Sequence, residues 1–249
     1  MALARTNLHG SITAGDFGTG VYTTTSFTPP SSSLLVVFVA AIENGGADSC
    51  VTDLTVAGGG WTYTSRVQIG AGNGFTSAAR LWTAPVTTGV SMTLDVDCAA
   101  RNIGFYGVSI VAYTGYDTST PIGATGSNSQ VGGFTGPPDP FSLTLSAAPV
   151  TTSEVFAGVS IDKNTAGVTP GSTFTEIHDF VNTSWGGCET EIRTGSTSTT
   201  VDWVDLRSGG GGLFDASGVA IEIKEAAAGP TFGGWPRRQH MVRHQYSFV

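Results

Sequence analysis

One run of this chain, Leu34–Ile42 (LLVVFVAAI), is apolar at every position rather than at every second one. That pattern predicts a central strand covered on both faces. The segment EVFAGVSI (Glu154–Ile161) reads the same way, with Val155, Ala157, Val159 and Ile161 in one row and Phe156 and Ser160 on the opposite face. Half-buried strands flank these runs. Val90, Met92, Leu94 and Val96 alternate with Ser91, Thr93, Asp95 and Asp97, and Val219, Ile221 and Ile223 alternate with Ala220, Glu222 and Lys224. No long stretch carries a 3.6-residue apolar period, so a helical protein is excluded.

The order of these segments occurs twice. LLVVFVAAI leads to GGGWTYTSRV, ARLWTAPVTTGVSMTLDV and YGVSIVAYTG; EVFAGVSI leads to PGSTFTEIHD, ETEIRTGSTSTTVDWVDL and SGVAIEIKE. The predicted class is all-β, an antiparallel jelly-roll-like β-sandwich built from two similar four-strand halves. A four-strand sheet with one apolar face is not stable alone, so the halves are expected to pack face to face as one sandwich. Two separate small sandwiches are the second choice. The expected boundaries are N-terminal strands or an arm over 1–28, a sandwich over 29–228 with halves 29–125 and 141–228, a Gly/Ser/Pro-rich linker over 126–140, and an extended tail over 229–249. With the N-terminal strands, ten to fourteen strands are expected.

Composition agrees with short strands and many turns: 35 glycines and only 12% charged residues. The net charge is −8, yet the last 21 residues hold Arg237, Arg238 and Arg243 and no acid. Residues 1–228 thus carry 8 basic against 19 acidic side chains. Such a body is a poor nucleic-acid partner, because phosphate contacts need clustered cations. MALARTNLHG has no apolar segment of a secretion signal, and Leu34–Ile42 is about half the length of a membrane helix. The expectation is synthesis in the cytoplasm without a recognisable export signal and without a membrane partner.

Candidate chemistry is sparse. Glu189 and Glu191 share one strand face with Arg193, the spacing at which β-sandwich glycosidases can place an acid and a nucleophile; the favoured reading is a solvated face with a Glu–Arg pair. Asp95/Asp97, Asp202/Asp205 and the loop acids Glu43, Asp48 and Asp53 lack a calcium-loop pattern and read as surface charge. His9, His178, His240 and His244 form no triad with a serine elbow, and the glycine runs 58–60 and 209–212 lack the lysine of a phosphate loop. No catalytic, cofactor or metal residue is assigned. Cys50, Cys98 and Cys188 have no zinc spacing; a Cys50–Cys98 bridge and small buried thiols both remain open, the second favoured. Trp185, in VNTSWGGC, is the candidate for exposed ligand contact, with Tyr116 next. In the tail, Phe232, Trp235, Tyr246 and Phe248 accompany Arg237, Arg238 and Arg243, a composition suited to a partner interface.

The segments FTPPSSSLLVVFVAA, GGGWTYTSRV, ARLWTAPVTTGVSMTLDV and VSIVAYTGYD, with PGSTFTEIHD, ETEIR, TVDWVDL and SGVAIEIKE, resemble the β-sandwich domains of minor tail, decoration and capsid-associated proteins of tailed phages. The resemblance covers roughly residues 20–226 and brings no site residues with it. It implies a non-enzymatic virion component whose partners are other capsid or tail proteins and copies of itself. A receptor- or carbohydrate-binding module at a tail or fibre tip, with a host-surface glycan as partner, is the alternative.

Overall fold

The fold is that of a computed structural model, which describes residues 2–14, 20–44, 50–72, 75–98, 102–132, 138–162, 167–206 and 214–227. The first half contains β1 (Ala4–Ala14), β2 (Tyr22–Thr23), β3 (Ser33–Asn44), β4 (Leu54–Ala57), β5 (Thr64–Gly72), β6 (Phe75–Val86), β7 (Asp95–Cys98) and β8 (Ile103–Thr114). The second contains β9 (Ile122–Gln130), β10 (Phe141–Thr144), β11 (Glu154–Asp162), β12 (Thr169–Pro170), β13 (Thr175–Asn182), β14 (Gly186–Thr194), β15 (Thr200–Asp205) and β16 (Ala216–Ile223). Among the described residues the helical content is one 3-10 turn, Cys50–Thr52. Among the described residues no helix is long and apolar enough to cross a membrane.

The two halves share one topology. The first forms a five-stranded sheet β1-β8-β3-β6-β5 and a three-stranded sheet β2-β7-β4; the second forms β9-β16-β11-β14-β13 and β10-β15-β12. Adding eight to every strand number of the first half reproduces the second. All pairings are antiparallel, and the nesting of first strand with last, second with seventh and third with sixth is that of a jelly roll. The all-β sandwich class expected from the sequence is the class observed. The halves, however, are larger than expected. Among the described residues each has eight strands and closes its own two-sheet sandwich, giving four layers of sheet rather than two. The first strands are not an arm, since β1 and β2 complete the first sandwich. The segment 126–140 is not wholly a linker, since β9 runs through Gln130 as an edge strand on β16.

Three cores separate the four layers. Leu35, Val37, Val39 and Ala41 of β3 face the first three-stranded sheet, packed with Leu94, Val96 and Tyr106. The row expected from the sequence in the second half, Val155, Ala157, Val159 and Ile161, faces Phe141, Leu143, Val201 and Trp203. Between the sandwiches, Leu34, Val36, Phe38, Ala40 and Ile42 meet Phe156, Ile192, Val219, Ile221 and Ile223. The two apolar runs are thus central strands covered on each side, as their patterns demand. β16 departs from its half-buried pattern: Ala220 and Glu222 are also buried, because the three-stranded sheet and the Val150 segment cover that face.

The interface is asymmetric at equivalent places. The third residue of the β3 row is Phe38 and that of the β11 row is Gly158, and they face each other: a Cβ on Gly158 would stand 2.5 Å from the Phe38 ring. Gly186 of the second sandwich likewise lies under Ile42, while at three other places the first sandwich supplies the small residue, with Gly10 under His178, Gly104 under Trp185 and Gly107 under Cys188. Towards one end Ser77 Oγ donates to the Ser160 carbonyl at 3.0 Å, and Ser217 Oγ to that of Ser77 at 3.0 Å. At the other end Tyr113 donates to Glu154 Oε1 at 2.5 Å, and Arg5 Nε lies 3.0 Å from the same oxygen. Burial pushes the Glu154 carboxyl up from its usual range, while the tyrosine and arginine oppose that shift. Replacing Tyr113 by Phe is expected to cost about 1–3 kcal/mol, because a buried carboxylate loses its donor. Urea denaturation checks it, and a change below experimental error would mean that the contact is not formed.

Candidate functional site

Strand direction sorts the connections between the two ends of the molecule. Odd-numbered strands all run one way, so the four odd-to-even connections of each sandwich leave from the same end. Ile42 lies against Gly186 near that end and Tyr113 against Glu154 at the other, so the two sandwiches are aligned end for end. At the opposite end β1 begins beside the close of β8, with Ala4 opposite Thr114. The chain leaves β16 there too: Glu225 bridges Tyr116, and the Ala226 N–H donates to the Gly115 carbonyl at 2.8 Å. That opposite end thus carries the even-to-odd connections together with the start of β1 and the exit of the chain from β16. The tail candidates Phe232, Trp235, Arg237, Arg238, Arg243, Tyr246 and Phe248 lie outside the described residues. Asp48, His240 and His244 do as well.

The candidate carboxylates are placed far from where their pattern puts them. Glu189 and Glu191 are 0% exposed and Arg193 is 4% exposed, so the expected solvated face is an interior one. The cause is topological: β14 sits between β11 and β13, and β12, β15 and Phe174 lie over its charged row. Trp203 Nε1 donates to Glu189 Oε2 at 2.5 Å, and the Gly171 N–H to Glu191 Oε2 at 3.3 Å. Arg193 reaches the Thr200 and Ser198 carbonyls at 2.6 and 2.5 Å and stacks its guanidinium 4.6 Å from the Phe174 ring centre. Glu189 Oε1, Glu191 Oε1 and Arg193 Nε have no hydrogen-bond partner among the described residues.

A buried carboxyl prefers the neutral form, because ionisation in a poorly solvated site is expensive. Desolvation raises Glu189 well above the usual range, against the pull of the Trp203 hydrogen bond. Desolvation, then the charge of Glu189, pushes Glu191 up to about 10. Shifted carboxyls are a common sign of catalytic acids. Here, however, neither group has exposed surface with which to meet a substrate. Burial thus favours the neutral form of both carboxyls, which line a polar stripe inside the second sandwich.

Other candidates disperse. Trp185 is half-buried over Gly104 in the seam between the sandwiches, where its ring contributes to packing. Asp95 accepts from Thr23 Oγ1 at 2.7 Å and Asp205 from the Asp139 N–H at 3.0 Å. Among the described residues no group of three His, Cys, Asp or Glu side chains could hold a metal ion. His178 Nδ1 is 2.8 Å from Ser109 Oγ, and its pKa is lowered by burial and then by the charges of His9 and Arg5. Sequence reasoning missed an open depression of about 580 Å³ on the second three-stranded sheet, lined by Pro140, Phe141, Ser142, Thr200, Asp202, Trp203 and Val204. The alternation of VDWVD, with Val201 and Trp203 buried and Asp202 turned outward, was its only signal.

No family model, curated protein or solved structure matches this chain.

Proposed function

We propose that this protein is a non-enzymatic structural component of a phage virion, a capsid decoration, minor capsid or tail-associated protein that works through contacts with neighbouring subunits. The composition of the tail, and the end of the molecule at which the chain leaves β16, support this reading. That end is also where β1 begins, and the Arg- and aromatic-rich residues 229–249 follow it in sequence. A tail of that composition suits anchoring on an acidic partner surface, including another copy of this body with its 19 acids and 8 cations. The three apolar cores suit a rigid spacer, and the strongly shifted carboxyl pair found among the described residues is sealed from solvent.

Deleting Gly229–Val249 is expected to leave the far-UV spectrum and melting unchanged and to abolish incorporation into particles. Purified virions probed for the truncated chain provide the measurement, and normal incorporation would end the anchoring role.

Receptor or glycan binding at a tail or fibre tip is the second reading, favoured by the depression beside Asp202. Its hydroxyls, carboxylate and apolar floor suit a sugar better than Trp185, which is engaged in packing. A glycan array with the wild type and Asp202→Ala separates the readings: specific signal lost in the variant supports binding, and no signal for either supports the anchoring protein.

A further inference from the structure

Cys50 and Cys98 are 48 residues apart in sequence and adjacent in space. Cys50 opens the 3-10 turn, and Cys98 closes β7 opposite Leu54 of β4. Both are buried in the core of the first sandwich. The Cys98 thiol donates to the Cys50 carbonyl at 3.4 Å, and the Cys50 thiol is itself a hydrogen-bonding neighbour of the Cys98 sulfur. Cys188 differs: it packs beneath Gly107 between the sandwiches, near Asp179 and Glu189 rather than another thiol.

The surroundings exclude other uses of the pair. Nucleophilic cysteines sit in electropositive, accessible sites that favour the thiolate. Here Asp53 and Glu43 lie close by, and burial with the neighbouring thiol pushes Cys98 far up. Nor, among the described residues, do nearby acids make a metal cluster with them. What two facing thiols at the ends of two elements can do is join.

We propose that Cys50 and Cys98 form a latent disulfide, reduced where the chain is made and closed on exposure to an oxidising thiol–disulfide medium, stapling the connection after β3 to the end of β7. The oxidant is a small disulfide such as oxidised glutathione. The Cys50 sulfur, deprotonated when the turn opens, attacks one sulfur of the oxidant; its S–S bond breaks, and one glutathione thiolate leaves and takes up a proton. The Cys98 thiolate then attacks the Cys50 sulfur of the mixed disulfide, forming the protein S–S bond and expelling the second glutathione. Two protein thiols are oxidised, and one oxidant disulfide is reduced to two thiols.

The test uses the full chain, reduced, unfolded in guanidinium and refolded in glutathione buffers from reducing to oxidising. In oxidising buffer the thiols that react with Ellman's reagent under denaturing conditions should fall from three to one, with a peptide containing both Cys50 and Cys98 in the digest. Melting should rise by roughly 5–10 °C for a bridge closing a loop of this length. Cys188→Ser should lose both of its remaining thiols and gain the same stabilisation, and Cys50→Ser should gain none. Three free thiols in the refolded oxidised wild type, or a bridge to Cys188, would overturn the proposal.

Discussion

Phe38→Ala is expected to destabilise the chain by about 3–5 kcal/mol, the range for emptying a buried phenylalanine site. The ring is fully buried in the seam between the sandwiches, over a glycine that offers no side chain to refill the space. Because each sandwich also has a core of its own, the loss should fall on the coupling between them. Equilibrium denaturation followed by separate probes should therefore split into two transitions where the wild type shows one. Gly158→Leu should do comparable damage from the opposite side, since its Cβ alone would press into the Phe38 ring. A Phe38→Ala cost below about 1 kcal/mol, against that same range for large-to-small changes, would mean that the seam is not packed as described.

The second large effect is on pH. Glu189 and Glu191 have folded pKa values raised above the unfolded ones, so the folded chain holds protons that the unfolded chain releases. For a raised acid the stabilisation is full below the unfolded value, near 4.5, and is lost as pH rises towards the folded value, about 10 for Glu191. Each carboxyl can cost up to about 1.4 kcal/mol per pH unit across that window. On the acid side His178 acts oppositely: its lowered pKa removes stability as pH falls below 6.5. Urea midpoints at pH 5, 7 and 9 should therefore fall steadily. Glu191→Gln, an isosteric neutral side chain, should flatten the slope and leave the variant more stable than wild type by about 2–4 kcal/mol at pH 8. Parallel slopes for the two proteins would show that Glu191 ionises freely in the fold.

The sequence made the scaffold legible where burial dictates residue type. Leu34–Ile42 could only be a two-sided strand, and the doubled segment order foretold the two halves. It under-read elements held by backbone pairing. β9, GATGSNSQ in its polar part, has little apolar content because an edge strand can be tied to its neighbour through main-chain hydrogen bonds. The Glu189–Glu191–Arg193 row misled for a related reason. Alternation reports whether one face differs from the other, not whether water reaches the polar one. Only the lid formed by β12, β15 and Phe174 decides that, and it is assembled from segments that lie outside the row on both sides, from Thr169 before it to Asp205 after it. The seam glycines were equally silent, because Gly10, Gly107 and Gly158 look like strand irregularities until the partner side chain is seen across the gap.

The lopsided seam also has a consequence for synthesis. When β8 has emerged from the ribosome the first sandwich can close, but Leu34, Val36, Phe38, Ile42 and Leu81 still face water, since their cover lies wholly in residues made later. At about 5–20 residues per second, the strands through β16 take on the order of five to twenty seconds to follow. For that interval the nascent chain is a sticky half-molecule. A second nascent copy offers it only another Phe38 where a Gly158 is needed, so the pairing of first halves that would poison assembly is sterically poor from the start.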